Sequence, residues 1–296
     1  MNVIPFQPND VVPRHTPSAL SVFGPIDERI DFEVGFEPTR VPSKKYVING
    51  TTGEYLDTVG TTFKCASHPK FFRSVQSCMV EEMSRDDLSG ATCNYRRARN
   101  NAWVMMDCTL PNAKVTVHTP KHDSEISQRI IALHGIDGSC SNQVFFGGID
   151  GFCTNGQISG EWDKVRRKNT SGFVLSRFID ELRVAKVAFY KHGDRLQEWA
   201  DTTTHTFEVK EMLESLLTSE RKAEKMLDLY QAEATVRGAN KYALYSAFTN
   251  YASYADERNG FELRNTGNDT ANLSMWKREQ EVSKWISSPQ FLQLAA

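Results

Sequence analysis

The chain has 296 residues, 40% hydrophobic and 24% charged, a globular balance that excludes general disorder. Thirty-five basic against 37 acidic side chains give a formal charge of −2, which argues against wholesale electrostatic binding of nucleic acid. The longest uninterrupted apolar run, Ala102–Met106, is far short of the ~20 residues a membrane helix requires.

The length allows two domains of ~150 residues or one large one. The opening Met1-Asn2-Val3-Ile4-Pro5-Phe6 has neither a basic cluster nor an apolar stretch of signal-peptide length. Cys65, Cys78, Cys93, Cys108, Cys140 and Cys153 form no Cys-x-x-Cys pair, so reduced, buried thiols in a cytoplasmic protein are expected. Charge is uneven along the chain. Residues 88–122 hold Arg96, Arg97, Arg99, Lys114 and Lys121 against Asp107 alone, and a second cluster is Lys164, Arg166, Arg167 and Lys168.

Residues 1–31 carry Pro5, Pro8, Pro13, Pro17 and Pro25 without periodicity and read as an irregular arm. From about Phe32 to Ile158 the texture is that of strands. Lys45–Ile48 runs into Asn49-Gly50, which favours a tight hairpin into Glu54–Leu56, because both central residues tolerate positive φ. Thr58–Phe63 reads as a further strand. Phe71, Phe72, Val75, Met79 and Val80 mark a helix over His68–Met83. Strands are expected at Ala91–Arg97, Ala102–Leu110, Lys114–Thr119, Glu125–His134, Asn142–Gly147 and Gly151–Gln157.

Beyond Glu161–Asn169 helices take over. Thr170 or Ser171 caps one that carries Phe173, Phe178, Leu182, Phe189, Leu196 and Trp199. Others begin at Thr206, run from Ser219 to Arg237 where Gly238 stops the helix, span Asn240–Ala255, and cover Leu273–Ser287; residues 256–272 read as a loop. The prediction is an α+β protein: an antiparallel-rich sheet domain with one early helix over 32–165, then a helical region over 166–296 packed on it.

Three stretches carry a resemblance to the phage- and plasmid-associated family known as domain of unknown function 932. They are Glu54–Lys64, Gly151-Phe152-Cys153-Thr154-Asn155-Gly156-Gln157-Ile158, and Gly238–Tyr251 with its Leu-Tyr-Ser-Ala-Phe-Thr-Asn-Tyr run. The order of the three agrees across about residues 32–290, while the Trp-His-Gly motif common near the family N-terminus is missing. The resemblance implies work on replicating or recombining DNA and supplies no catalytic residues. A hairpin sheet followed by helices is also loosely similar to phage single-strand annealing proteins, at the level of fold alone.

Tyr95-Arg96-Arg97-Ala98-Arg99-Asn100-Asn101-Ala102-Trp103 interleaves guanidinium groups, which pair with phosphate, and aromatic rings, which can stack a base. The same stretch also fits a solvated turn with Trp103 in the core. Lys164-Val165-Arg166-Arg167-Lys168 precedes a helix start and suits either phosphate or a charged linker. His118, His122, Asp123 and His134 do not make a metal site, because Pro120 breaks the helix that would align them.

Gly-x-Ser-x-Gly and phosphate-loop motifs are absent. Cys153 reads as a small buried hydrophobe, and Glu81, Glu82, Asp86 and Asp87 as solvated charge. No catalytic residue, metal or cofactor emerges. The aromatic run Tyr242, Tyr245, Phe248, Tyr251 and Tyr254 drifts around its helix at intervals of three, so the helix is either buried on several faces or used in a subunit contact. The expected function is non-specific binding of single-stranded DNA, promoting annealing, through Tyr95, Arg96, Arg97, Arg99, Lys164, Arg166, Arg167 and Lys168, with homo-oligomers adding sites along the strand. The alternative is a protein–protein module, a virion component or a modulator of host defence.

Overall fold

Asn49 shows how the first sheet is made. Its side-chain Oδ1 accepts from the amides of Thr51 and Thr52 at 2.9 and 3.1 Å, and its carbonyl accepts from Gly53 at 2.7 Å. These bonds fold residues 50–54 into a turn between β2 (Lys44–Asn49) and β3 (Tyr55–Gly60). The turn is longer than the two-residue Asn-Gly hairpin the sequence favours. Gly53, at φ 73°, takes the left-handed position. Gly50 is needed for space instead, since a Cβ there would meet the Glu33 carbonyl oxygen at 2.7 Å. β1 (Val34–Pro38) pairs antiparallel with β2 and completes a three-stranded sheet. Thr58 belongs to β3 rather than to a separate strand, which ends at Gly60.

The computed structural model describes residues 17–140, 142–150, 156–158, 165–167, 175–255 and 268–294. Its α+β architecture follows the sequence. After a short turn α1 (Pro17–Leu20) and the first sheet comes α2 (His68–Glu82), which starts with Pro69 in its first turn and buries Phe71, Phe72, Val75 and Met79 on one stripe. The one-turn α3 (Arg85–Leu88) opens on a capping box made by Ser84 and Asp87.

A second antiparallel sheet follows in the order β4 (Thr92–Ala98), β5 (Trp103–Val117), β6 (Ser124–Gly135), β7 (Asn142–Asp150), β8 (Gly156–Ile158), with β9 (Val165–Arg167) also paired to β7. Lys114–Thr119 is not a strand of its own, because β5 continues through Pro111 to Val117. Pairing with β4 stops at Thr109, so the missing amide of Pro111 falls where no partner on that side requires it.

The helices are α4 (Leu175–Asp201), α5 (Thr206–Leu216), α6 (Glu220–Arg237), α7 (Lys241–Tyr254), α8 (Asn268–Ile286) and the short α9 (Pro289–Gln293). The predicted cap of α4 at Thr170 or Ser171 lies outside the described residues. Ser219 caps α6, Gly238 at φ 90° ends it, and the Asn240 side chain caps α7 by accepting from Ala243 at 2.8 Å.

Two compact units emerge from the described residues. One draws on Met1–Asn112, Ile130–Phe145 and Asp163–Ala185, and the other on Ala113–Arg129, Phe146–Trp162 and Lys186–Ala296. In the second, α7 is buried on every face, with Tyr242, Ala243, Leu244, Tyr245, Ala247 and Phe248 all excluded from water. Helices α6 and α8 and strand β8 pack around it. The drifting aromatic spacing is thus the pattern of a helix surrounded by protein. Gly148 of β7 admits a close approach there, since a Cβ would lie 2.5 Å from the Ile126 side chain.

The same core holds the guanidinium of Arg237, fully buried at the end of α6. It reaches Asp150 at 2.8 Å, Glu233 at 3.1 Å and the Ser124 hydroxyl, while Tyr242 donates to Asp150 at 3.3 Å. Removing one partner of such a network leaves buried charge uncompensated. Arg237→Ala is therefore expected to cost about 3–5 kcal/mol in urea denaturation. Phe207→Ala, at a side chain 69% exposed, should change stability by less than about 0.5 kcal/mol.

Candidate nucleic-acid interface

Strand alternation sorts the basic stretch of β4. Tyr95 lies opposite Met106, Arg96 opposite Met105 and Arg97 opposite Val104, so Tyr95 and Arg97 share one face and Arg96 points to the other. The Tyr95 face meets α2. Its ring packs on Phe72 at 5.5 Å, its hydroxyl accepts from the Gln76 amide at 3.3 Å, and burial raises its pKa. The ring is engaged in packing and is not presented as a stacking platform. On the opposite face Arg96 stands 3.9 Å from Asp107, while Arg97 donates to Asn101 Oδ1 at 2.8 Å.

The turn from β4 to β5 places Arg99, Asn100 and Asn101 successively in the left-handed region, at φ 53°, 51° and 64°. Such a run costs roughly 1–2 kcal/mol per residue and needs support from around it. Asn100 donates to Glu54 at 2.9 Å, and His68 Nε2 bonds the Asn101 carbonyl at 2.8 Å. That carbonyl can only accept, so His68 carries its proton on Nε2 and its Nδ1 is bare. His134, whose Nδ1 lies 2.8 Å from that atom, must then be the donor, and its own Nε2 has no hydrogen-bond partner among the described residues. Phe71 stacks flat on His134 at 4.4 Å. Burial holds both rings neutral, moving His68 down to about 4 and His134 well below its usual value.

Asp137, on the loop after β6, anchors the other side of the turn. Its buried carboxylate accepts from Trp103 Nε1 at 2.9 Å, from the Ser139 amide at 2.9 Å and from the Ser139 hydroxyl at 2.6 Å. Arg99 Nε stands 3.5 Å from it, another Arg99 nitrogen donates to Ser139 Oγ at 2.9 Å, and the guanidinium lies 5.5 Å from the centre of the Trp103 ring. The Arg99 side chain nonetheless stays 47% exposed.

One residue beyond Glu54, Tyr55 forms an edge-to-face pair with Tyr46 across β2 and β3, at 5.8 Å. The two rings are 54% and 38% exposed, on the face of the small sheet opposite the buried Val47 and Val59. Sequence reasoning did not single them out. The signal was present in Lys44-Lys45-Tyr46-Val47-Ile48, whose period of two puts Tyr46 opposite in direction to Val47.

The second basic stretch is set apart from the first. Arg166 and Arg167 lie on β9, opposite Gln143 and Asn142, and Lys164 and Lys168 lie outside the described residues. Strand β9 joins the sheet through β7, and β7 is separated from β4 by β5 and β6, three inter-strand spacings or ~14 Å. The sheet therefore does not bring Arg96 and Arg97 into one groove with Arg166 and Arg167.

The remaining candidates have ordinary surroundings. His118 pairs with Asp123 at 3.1 Å on the surface, and Asp87 serves the Ser84 capping box. Among the described residues no group of three or more His, Cys, Asp or Glu could hold a metal ion, and no helix is long and apolar enough to cross a membrane. Cys65, Cys78, Cys93, Cys108 and Cys140 are free thiols, and Cys153 lies outside the described residues.

Antiparallel sheets with mostly C-terminal helices packed on them define an α+β protein. Residues 56–287 match the family described as Domain of unknown function (DUF932), and the chain belongs to that family. No curated protein and no solved structure matches it.

The buried histidines set a pH dependence. His68 at about 4 and His192 at about 3 lie below the ~6.5 of an unfolded histidine, so acid protonates the unfolded chain first. Their contribution is complete above about pH 6.5 and is lost as the pH falls toward 4, at about 1.4 kcal/mol per pH unit per histidine. Denaturation midpoints measured at pH 7.5, 6 and 5 should fall in that order.

Proposed function

We propose that the chain binds single-stranded DNA without breaking bonds, and promotes strand annealing in recombination or replication of phage or plasmid DNA. The supporting observation is the surface around the β4–β5 turn. There the exposed Arg99 guanidinium lies over Trp103, and the Asn100–Glu54 bond joins the turn to the exposed Tyr46–Tyr55 pair. Guanidinium groups meet phosphate oxygens, and a tyrosine face stacks any base. In this reading Arg96, Arg97 and Arg99 supply charge, and Tyr46 and Tyr55 take the stacking role expected of Tyr95. Arg166, Arg167, Lys164 and Lys168 would contact a different stretch of the strand. Oligomers would multiply these modest contacts. The phage and plasmid setting comes from the family resemblance alone.

A protein–protein module has an observation of its own. The exposed tyrosine pair is also an apolar patch, the net charge is −2, and Arg96 and Arg99 already face Asp107 and Asp137.

Fluorescence titration of a labelled oligonucleotide at two salt concentrations separates the readings. DNA binding predicts saturation at low salt, weakening as salt rises, with a loss of about tenfold or more in Tyr46→Ala/Tyr55→Ala. Arg96→Gln/Arg97→Gln/Arg99→Gln should reduce both the affinity and the salt slope; glutamine avoids setting a new carboxylate against Asp137. Absence of binding at low salt, or binding indifferent to salt, defeats the DNA reading and leaves the protein-binding one.

A further inference from the structure

In the second unit a pocket of about 430 Å³ opens where the last turns of α4, the first residue of α7 and the α8–α9 junction meet. Its size falls within the ~300–1,000 Å³ of small-molecule sites. Trp199, Ile286 and Leu292 give it an apolar wall, and Arg195, Glu198 and Lys241 supply its charges.

Lys241 is the informative residue. It is 5% exposed, and its ammonium donates to two backbone carbonyls, of Leu292 at 2.9 Å and Leu294 at 3.2 Å. Nζ also lies 5.1 Å from the centre of the Phe291 ring, but an ammonium has three protons, so one is left without a hydrogen-bond acceptor, and no carboxylate among the described residues forms an ion pair with it. Burying an unneutralised cation is costly, and an anion in the space it lines relieves that cost. Arg195, on the same wall, has neither an ion pair nor a hydrogen bond through its guanidinium among the described residues. The hydroxyls nearby have no proton to offer, because Thr202 donates to the Glu198 carbonyl at 2.6 Å and Ser287 to the Ser283 carbonyl at 3.0 Å. Among the charged groups and hydroxyls of the lining, the donors open to a ligand are therefore Arg195 and Lys241, both cationic.

We propose that this pocket binds a small amphipathic monoanion, a carboxylate carried on an apolar or aromatic body. The acid group sits between Arg195 and Lys241 and the body lies against Trp199, Ile286 and Leu292. Two cations against Glu198 leave one positive charge, which one carboxylate balances. A planar carboxylate also suits the fork of a guanidinium. The site is independent of the DNA reading and stands or falls without it.

Calorimetry with the full chain tests the proposal, with 3-phenylpropionate as the probe and its uncharged amide, 3-phenylpropanamide, as the comparison. The expected result is saturable binding of the acid, at least about tenfold weaker binding of the amide, and a similar loss in Arg195→Gln, as a charge-assisted bond predicts. Leu292→Trp, at an exposed position, should fill the pocket and abolish binding while leaving the thermal transition in place. Equal affinity for acid and amide, unchanged affinity in Arg195→Gln, or no heat at millimolar acid would each overturn it. So would acetate or inorganic phosphate binding as tightly as phenylpropionate, because the apolar wall would then contribute nothing.

Discussion

A guanidinium with no access to water organises the helical core. Arg237 joins Asp150 at the end of β7, Glu233 one turn earlier on α6 and Ser124 at the start of β6. Each of these groups is buried, so none can exchange its partner for solvent, and the network is stable only when all of its members are in place. That condition sets the end of α6 and orients Tyr242, the second residue of α7, whose hydroxyl shares Asp150. With its first turn fixed, α7 can be buried on all sides, since α6, α8 and β8 cover it.

The first unit solves a related problem at the β4–β5 turn. Three left-handed residues in succession would not persist at the tip of an isolated hairpin. They persist here because His68, Glu54 and Asp137 hold the segment from separate elements. The histidine pair does so without charge, one ring donating to the other, which suits a site closed off by Phe71 and Phe72. One consequence reaches the surface. The restraint that shapes the turn also fixes where Arg99 stands, over an indole and next in the chain to the Asn100 that bonds Glu54.

Local signals in the chain were read correctly where they act over a few residues. The stripe of Phe71, Phe72, Val75 and Met79, the helix starts at Ser219 and Asn240, and the Gly238 stop all express neighbour-to-neighbour physics. The reading of Asn49-Gly50 as a tight turn failed because the Glu33 carbonyl, just ahead of β1, makes its own claim on Gly50. The expected break between Ala102–Leu110 and Lys114–Thr119 does not occur either, since β5 runs on through Pro111. Whether a missing amide matters depends on where the neighbouring strand has stopped.

The amino-acid order by itself determined the class of the fold, sheets first and helices after, together with the family and most helix limits, since these follow from periodicity and capping along the chain. The tertiary structure alone decided what each polar side chain faces. It turned Tyr95 into a packing residue and Tyr46 and Tyr55 into exposed ones, and it put Arg96 and Arg97 on one strand and Arg166 and Arg167 on another with others between them. It also placed the ammonium of Lys241 at a pocket wall, bonded to two carbonyls and in no ion pair among the described residues. The physical reason is that burial and electrostatic partnership depend on groups brought together from distant positions, and a one-dimensional pattern carries no record of which ones meet.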